Sequence, residues 1–167
     1  TKLKGKLDGV TNLFRGNGHQ DVHEFIVFLL DGLHGHLNEG NPNLRITDIK
    51  GDGSNDEIVA SQAWKNFQSQ HNSFICKTFT SQIREKLNCL KCKNSTSVTF
   101  YPSMYLSLCL PETDVPTTLC DLLQAYVQRS PRVWKCTNDA CKTEEEEQNA
   151  NGQLHFWKLS EILIVQL

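Results

Sequence analysis

Apolar residues near the start of the chain recur at the spacing of one face of an α-helix. They follow Asn17-Gly18 in an i, i+3, i+4 pattern, which places them along a single side of a helix. A helix is therefore predicted over about residues 19–37, and Glu39-Gly40-Asn41-Pro42 is expected to end it. The apolar positions are Val22, Phe25, Ile26, Leu29, Leu30, Leu33 and Leu37.

The polarity pattern changes several times after this helix. Residues 43–57 are polar and rich in Gly, Asp and Asn, which predicts a mobile surface loop. A second helix is predicted over residues 58–70, because its apolar side chains again fall on one side. Residues 73–88 and 97–110 contain β-prone runs and are predicted to form strands.

The second half of the chain carries one further helix pattern. Thr118 and Asp121 have the spacing of a capping box, which opens a helix that Ser130-Pro131 is expected to end. The tract Glu144–Glu147 is predicted to be a solvated loop, and residues 154–167 end in an apolar strand. Helices, strands, a helix and strands again, without an internal repeat, favour the α+β fold class.

Composition limits the classes of protein that fit this pattern. The chain has 167 residues, of which 38% are hydrophobic and 22% charged, as is typical of one soluble globular domain. The formal net charge is -2, so no nucleic-acid partner is expected. No apolar run reaches the roughly 18 residues of a membrane span, and no signal peptide is recognisable, so no membrane association is expected.

Cysteine usage indicates the cellular compartment. The seven cysteines are odd in number and include two closely spaced pairs, which favours reduced thiols and a cytoplasmic or nuclear location. The first residue is Thr, and the chain stops inside the apolar run Ile162–Leu167. Both ends are therefore expected to be internal to a longer protein.

The two close cysteine pairs predict a metal site. Two residues separate Cys89 from Cys92 and four separate Cys136 from Cys141, so each pair can bind along one edge of a tetrahedral Zn²⁺. Four protein ligands leave no open position, and such a zinc would be structural, joining two β-hairpin tips. Two alternatives remain open: unrelated pairs of free thiols, or a redox centre at the first pair.

The other cysteines and histidines carry weaker indications. His19 and His23 have the spacing of a zinc-protease helix, but Gln20 stands where that helix needs a catalytic Glu, which argues against a metalloprotease. Three further cysteines are expected to be small buried residues: Cys76, Cys109 and Cys120. The remaining histidines are expected to be exposed or singly hydrogen-bonded: His34, His36, His71 and His155.

Polar side chains cluster in the first turn of the first predicted helix. They are Gln20, Asp21 and Glu24. The positive end of the helix dipole stabilises carboxylates at this position. Two interpretations are open: capping and solvation of the helix start, or an acidic surface that binds a basic segment of a partner.

The segment from Gly18 to Phe25, Gly-His-Gln-Asp-Val-His-Glu-Phe, resembles the Gln-Asp-x-x-Glu-Phe box of the ubiquitin-specific protease family of deubiquitinases. Further segments follow the order of that family over nearly the whole chain, although Ser160 stands where the family usually has Pro. These segments are Trp64, residues 72–75, Phe79, Cys89 with Cys92, Leu106–Pro111, Thr118–Leu123, Trp134 with Cys136, and Leu159–Leu167.

The resemblance implies part of a papain-like cysteine peptidase domain, with a thumb, a palm and zinc-bearing fingers that hold ubiquitin. Residues 1–72 would be thumb-like helices, and residues 73–167 would be fingers- and palm-like strands with one helix. Asp21 and Glu24 match family positions that hold the basic ubiquitin tail. The zinc of the family's fingers maps onto Cys89, Cys92, Cys136 and Cys141, although the second pair is more widely spaced than in the family.

The catalytic boxes of the family are absent from this sequence. In the family, the nucleophile lies in an Asn-x-x-Cys segment before the Gln-Asp box. The catalytic His lies in a Gly-His-Tyr-like segment after the strand that Leu159–Leu167 resembles. The resemblance therefore implies an interior segment that is inactive alone and holds no catalytic residue, while the complete protein hydrolyses the isopeptide bonds of ubiquitinated proteins. The alternative is an inactive ubiquitin-binding scaffold, and a zinc-ribbon nucleic-acid binder is disfavoured by charge.

Overall fold

The computed structural model describes residues 5, 9, 11, 13–14, 18–19, 21–93, 95–112, 116–136, 138, 141 and 148–167. No helix within those residues is long and apolar enough to cross a membrane. The helices with described bounds are α1 (Val22–Leu37), α2 (Asp56–Gln70), α3 (Phe74–Phe79) and α4 (Leu119–Tyr126). The strands are β1 (Lys50–Gly51), β2 (Ser81–Cys89), β3 (Thr96–Ser103), β4 (Tyr105–Ser107), β5 (Ser130–Trp134), β6 (Gln148–Lys158) and β7 (Ile164–Gln166).

Most of the strands belong to one antiparallel sheet with the order β1-β3-β2-β6-β5. The strand β2 lies at its centre and pairs with β3 on one side and β6 on the other. The pairing with β6 contains an irregularity between Gln82 and Ile83. A separate parallel pair, β4 and β7, packs beside the sheet. The fold is thus the mixed α+β arrangement that the sequence predicts.

One face of the sheet packs against α4 and the β4–β7 pair. Ile83 is fully buried on this face, directly opposite Tyr101 of β3 and Phe156 of β6. Phe156 also stacks on Tyr126 of α4, with ring centroids 5.7 Å apart. Burial of these apolar groups provides the main stabilisation of the sheet. The fully enclosed members of this core are Ile83, Leu106, Leu108 and Leu122.

Helix α2 covers the other face of the sheet. Ala60 is buried and shares a small core with Phe100 of β3. The side-chain Nε2 of Gln82 donates a 2.9 Å hydrogen bond to the backbone carbonyl of Ala60. Arg84 forms an ion pair with Asp56 at the start of the helix, with Nη2 2.6 Å from Oδ2. Both apolar and polar contacts therefore hold α2 on the sheet.

Helix α1 is confirmed, but it begins at Val22 rather than near residue 19. Asp21 caps the helix, because its Oδ1 accepts hydrogen bonds from the backbone N–H groups of His23 at 2.7 Å and Glu24 at 3.3 Å. The helix ends at Leu37, as predicted. Helix α2 is also confirmed, although its first residues come from the predicted loop.

The predicted capping box is present at the start of α4. The hydroxyl of Thr118 accepts from the N–H of Asp121 at 3.2 Å, and the carboxylate of Asp121 accepts from the N–H of Thr118 at 2.9 Å. The helix ends at Tyr126. Ser130 and Pro131 do not end it directly but open the edge strand β5.

The prediction of strands from residue 73 is wrong for the first residues of that segment. They form the short helix α3, and the strand begins only at Ser81. The hydroxyl of Ser73 caps α3 by accepting from the N–H of Cys76 at 3.1 Å. This cap and the burial of Ile75 outweigh the β-propensity of the segment.

Two predicted loops have different outcomes. Residues 43–57 are largely exposed, as predicted, but Lys50 and Gly51 add the short strand β1 to the edge of the sheet beside β3. The tract Glu144–Glu147 lies outside the described residues, as does Gln20 of the predicted acidic turn.

Gly40 provides a test of this packing, because a Cβ at that position would lie 2.6 Å from the backbone carbon and oxygen of Gln70. The substitution Gly40→Ala is expected to lower the free energy of unfolding by about 1–3 kcal/mol, since backbone atoms cannot move aside cheaply. A Cβ on Gly32 of α1 would meet no atom of the described residues within 4 Å, so Gly32→Ala is expected to raise the free energy of unfolding by about 0.5–1 kcal/mol. Chemical denaturation measures both values, and changes of the same sign would contradict this packing.

Candidate functional site

Four cysteines meet at the tips of two strand connections. Cys89 is the last residue of β2, and Cys92 lies in the turn that leads to β3. Cys136 follows β5, and the N–H of Cys141 closes a turn by donating a 2.8 Å hydrogen bond to the carbonyl of Asn138. Because β6 pairs with both β2 and β5, the two tips lie at the same end of the sheet.

The geometry of these cysteines fits a tetrahedral metal ion. Their four Sγ atoms lie within 4.8 Å of one another. The Sγ atoms of Cys92 and Cys136 are 3.8 Å apart, which is about the edge of a tetrahedron with metal–sulfur bonds of roughly 2.3 Å. A disulfide would need about 2.0 Å, and all four cysteines are free. The structure thus brings the two predicted pairs together as one possible ligand set.

The buried thiols of this cluster differ in acidity. Burial raises the pKa of Cys136, but hydrogen bonds with Ser95, the backbone of Asn138 and two neighbouring thiols outweigh it and lower the pKa to about 7. Burial and the same kind of thiol contacts raise the pKa of Cys141 to about 12. Cys136 therefore forms a thiolate readily, whereas Cys141 needs the positive charge of a bound cation to do so.

The predicted acidic residues lie exposed at the start of α1. Asp21 uses one carboxylate oxygen, Oδ1, to cap the helix. Its Oδ2 and the carboxylate of Glu24 make no hydrogen bond to the residues that the structure describes. Capping and binding are therefore compatible roles for Asp21, because capping leaves one of its oxygens available to a partner.

A cleft of about 520 Å³ continues from this acidic end between α1 and the β3–β4 connection. The ring of His23 packs edge-on against Tyr105, with centroids 4.4 Å apart, and so links the start of the helix to the cleft wall. The walls are mainly apolar, with a few polar groups. The lining includes Ile26, Leu30, Asp31, Met104, Tyr105 and Ser107.

The expectations for the remaining cysteines are partly wrong. Cys76 is buried, as expected, whereas Cys109 and Cys120 are exposed. Cys109 lies in the segment after β4, and Cys120 lies on the solvent side of the first turn of α4. Apolar neighbours in the sequence therefore did not ensure that these cysteines are buried. Burial depends on whether a residue lies on the face of its element that packs against the core.

The expectation for the histidines holds for His36 but is wrong for His34. His36 is exposed and bonds to the carbonyl of Gly32 in its own helix. His34 is half-buried and contacts His71, Ser73 and Cys76 at once. Sequence reasoning missed this group because at least 37 residues separate His34 from its partners.

Comparison with known proteins identifies the class to which this arrangement belongs. Residues 1–167 match the family model described as "Ubiquitin carboxyl-terminal hydrolase". Ubiquitin carboxyl-terminal hydrolase 19 of Homo sapiens is 38% identical over 112 residues, which are 67% of this chain and 8% of that protein. Ubiquitin carboxyl-terminal hydrolase 5 of Arabidopsis thaliana is 41% identical over 106 residues, which are 64% of this chain and 11% of that protein.

Solved structures agree with this class at the level of fold. A chain of a SAGA DUB module containing Ubp8, Sgf11, Sus1 and Sgf73 has a TM-score of 0.57 at 22% identity, covering 100% of this chain and 32% of that chain. A chain of a yeast SAGA DUB module has a TM-score of 0.54 at 24% identity, covering 89% of this chain and 29% of that chain. The chain belongs to the ubiquitin carboxyl-terminal hydrolase family, as its motifs predict. It spans about a tenth of the length of the curated relatives it matches.

The cysteine cluster makes a direct prediction about metal content. Metal analysis of the purified chain is expected to find about one Zn per chain. The double substitution Cys89→Ser and Cys136→Ser is expected to abolish zinc binding and lower the denaturation midpoint, because each pair loses a ligand.

A matched control removes two thiols elsewhere. Cys109→Ser with Cys120→Ser alters two exposed cysteines outside the cluster and is expected to leave the zinc content unchanged. Stoichiometric zinc in the first variant, or its loss in the control, would refute the assignment.

Proposed function

We propose that this chain is the ubiquitin-binding, zinc-stabilised part of a cysteine-type deubiquitinase, and that the complete protein hydrolyses isopeptide bonds between ubiquitin and its substrates. The family match over residues 1–167 carries this proposal. The acidic end of α1, the adjoining cleft and the cluster of four cysteines support it. The proposed partners are ubiquitin and ubiquitinated proteins, with a cytoplasmic or nuclear location.

The start of α1 supplies the proposed contacts with the basic tail of ubiquitin. An arginine side chain of a basic tail can donate two hydrogen bonds to a carboxylate, and such charge-assisted bonds are stronger than those between neutral groups. Asp21 and Glu24 are exposed and one helical turn apart, so both can face one extended segment. The positive end of the helix dipole attracts negative charge at this position.

The cleft beside α1 supplies a path for the rest of the tail. Its volume of about 520 Å³ and apolar walls suit an extended peptide with small side chains. Asp31 and Ser107 add polar groups that can pair with the peptide backbone. The contact between His23 and Tyr105 fixes the entrance of this path relative to the carboxylates.

Catalysis is proposed to depend on residues outside this chain. A cysteine protease needs a thiol within reach of a histidine and accessible to its substrate. Cys76 has the Nδ1 of His34 at 3.4 Å, but it is only 5% exposed and does not line the cleft. We therefore assign no catalytic residue here and expect the isolated chain to be inactive.

The zinc and the division of the domain complete the proposal. Zn²⁺ held by Cys89, Cys92, Cys136 and Cys141 would join the two strand connections and add folding free energy without taking part in chemistry.

Residues 1–72 are proposed to form the thumb-like part. Residues 73–167 are proposed to form the fingers and palm.

A second candidate function is an inactive ubiquitin-binding scaffold. The observation that favours it is that the described residues contain no accessible cysteine–histidine pair, since Cys76 is buried. Reaction of the complete protein with a ubiquitin carrying a C-terminal electrophile separates the two candidates. A covalent adduct would eliminate the scaffold, whereas binding without an adduct would eliminate the enzyme.

The proposed contacts with the tail predict the effect of removing charge from α1. Asp21→Asn with Glu24→Gln is expected to weaken ubiquitin binding about tenfold to hundredfold, as lost hydrogen bonds between charged groups cost roughly 1.5–3 kcal/mol. Asn caps a helix as well as Asp does, so the helix start is preserved. Isothermal titration calorimetry measures the affinity, and circular dichroism checks the helix.

The control makes one of these two changes, Glu to Gln, in another helix. Glu57 is an exposed carboxylate in the first turn of α2, and Glu57→Gln is expected to leave the affinity unchanged. Equal weakening by both variants would show that net charge, rather than the start of α1, determines binding.

A further inference from the structure

Helix α1 is held in place by polar contacts near its C-terminal end and by apolar contacts of two phenylalanine rings with the buried Phe14. None of its residues is fully buried, and it packs against the short helix α3. Beyond its end, the side-chain amide of Asn38 donates to the carbonyl of Gln70 at 2.8 Å, and its oxygen accepts from the N–H of Asn72 at 2.7 Å. At its C-terminal end, the docking of α1 therefore depends on hydrogen bonds.

His34 lies at the centre of these polar contacts. Its Nδ1 is 2.8 Å from the hydroxyl oxygen of Ser73 and 3.4 Å from the Sγ of Cys76. Its Nε2 is 3.1 Å from the Nδ1 of His71. Ser73 caps α3 and Cys76 lies in its first turn, while His71 is the residue directly after α2. One imidazole thus connects α1 to both neighbouring helices.

The two imidazoles can share one proton between their facing nitrogens but not two. In a hydrogen bond at 3.1 Å, one of these nitrogens donates and the other accepts. When both rings are protonated, two N–H groups and two positive charges face each other across this distance. The contact that connects α1 to the end of α2 then becomes repulsive.

Among the described residues, the surroundings of the two rings offer no net charge that would offset this repulsion. His71 stacks on Phe67 with ring centroids 5.0 Å apart, and it shares a cavity of about 480 Å³ with Asp48 and Lys50, which carry opposite charges. Glu39 bonds to the side chain of Asn72 instead. Within the described residues, no carboxylate forms an ion pair with either ring. From α3, the facing groups are the hydroxyl of Ser73 and the thiol of Cys76.

We propose that His34 and His71 are positioning residues that hold α1 against α2 and α3 while at least one ring is neutral, and that double protonation releases α1. The acidic end of α1 then loses its fixed position beside the cleft, and ubiquitin binding weakens in mildly acidic solution. This last consequence rests on the proposed function, whereas the release of the helix does not.

The direction of the titration agrees with this geometry. Burial, together with the charge of His34, lowers the pKa of His71 below its usual value of 6.5. The folded chain therefore binds fewer protons than the unfolded chain as the pH falls below about 6.5, and stability is lost in that range. Above about pH 6.5, the contact between His34 and His71 makes its full contribution to the stability of the fold.

The first experiment follows the release itself in the complete chain. A two-dimensional NMR titration of the histidine rings from pH 8 to 5 is expected to show the signals of His34 and His71 changing in two coupled steps. Amide exchange in α1 is expected to accelerate about tenfold for each pH unit through the second step, after correction for intrinsic exchange. Independent single-step titration with unchanged α1 exchange would overturn the proposal.

The second experiment uses matched variants and ubiquitin affinity. Between pH 7.5 and 5.5 the parent chain is expected to lose about tenfold or more in affinity, whereas His71→Asn, which cannot take up the second proton, is expected to lose less than about threefold. His36→Asn removes an exposed histidine of α1 that bonds only to Gly32, and it is expected to behave like the parent. The proposal fails if His71→Asn retains the full loss or if His36→Asn abolishes it.

The two experiments separate this proposal from the proposed function. Absence of ubiquitin binding at every pH would refute the function but leave the NMR and exchange results as the test of the release. Ubiquitin binding that is insensitive to pH, together with unchanged α1 exchange, would refute the release and leave the function intact.

Discussion

The pairing of β2 on both of its sides is the constraint on which the rest of the structure depends. Alternate residues of this strand face opposite layers: Ile83 enters the core beneath α4, whereas Arg84 faces α2 and pairs with Asp56. Its last residue, Cys89, reaches the cysteine cluster. A shift of one residue in register would turn Arg84 into the apolar core and Ile83 toward a carboxylate, so both layers enforce the same register.

The two long helices are attached to this sheet in different ways. Helix α2 buries Ala60 against the sheet and is also tied to it by an ion pair, so its position is supported by apolar area as well as by charge. Helix α1 contributes no fully buried residue. Two of its phenylalanine rings pack on the buried Phe14. Its position also depends on hydrogen bonds around His34, which act over a narrow range of distance and angle. The helix with the exposed carboxylates is thus the one for which we propose a placement that depends on protonation.

Local patterns were sufficient to predict several parts of this structure. Each of these features is visible within a short stretch of sequence: the apolar spacing of α1, the capping box at Thr118 and the two short-spaced cysteine pairs. Helix α3 was missed because its formation depends on the Ser73 cap and on burial, against the β-propensity of its residues. The contact between His34 and His71 was missed because it forms only once three helices have docked, and no local pattern encodes that docking.

The parallel pairing of β4 with β7 has a consequence for the order in which the chain acquires its structure. Partners such as Ser107 and Gln166 are 59 residues apart in sequence, and the core around Leu106 also needs Val165. During synthesis on a ribosome, this core stays open until the last strand has emerged, whereas α1 and α2 can form early. Closing so long a loop is entropically costly and slow. In the interval, the apolar face of the central sheet is the surface that a chaperone would need to shield.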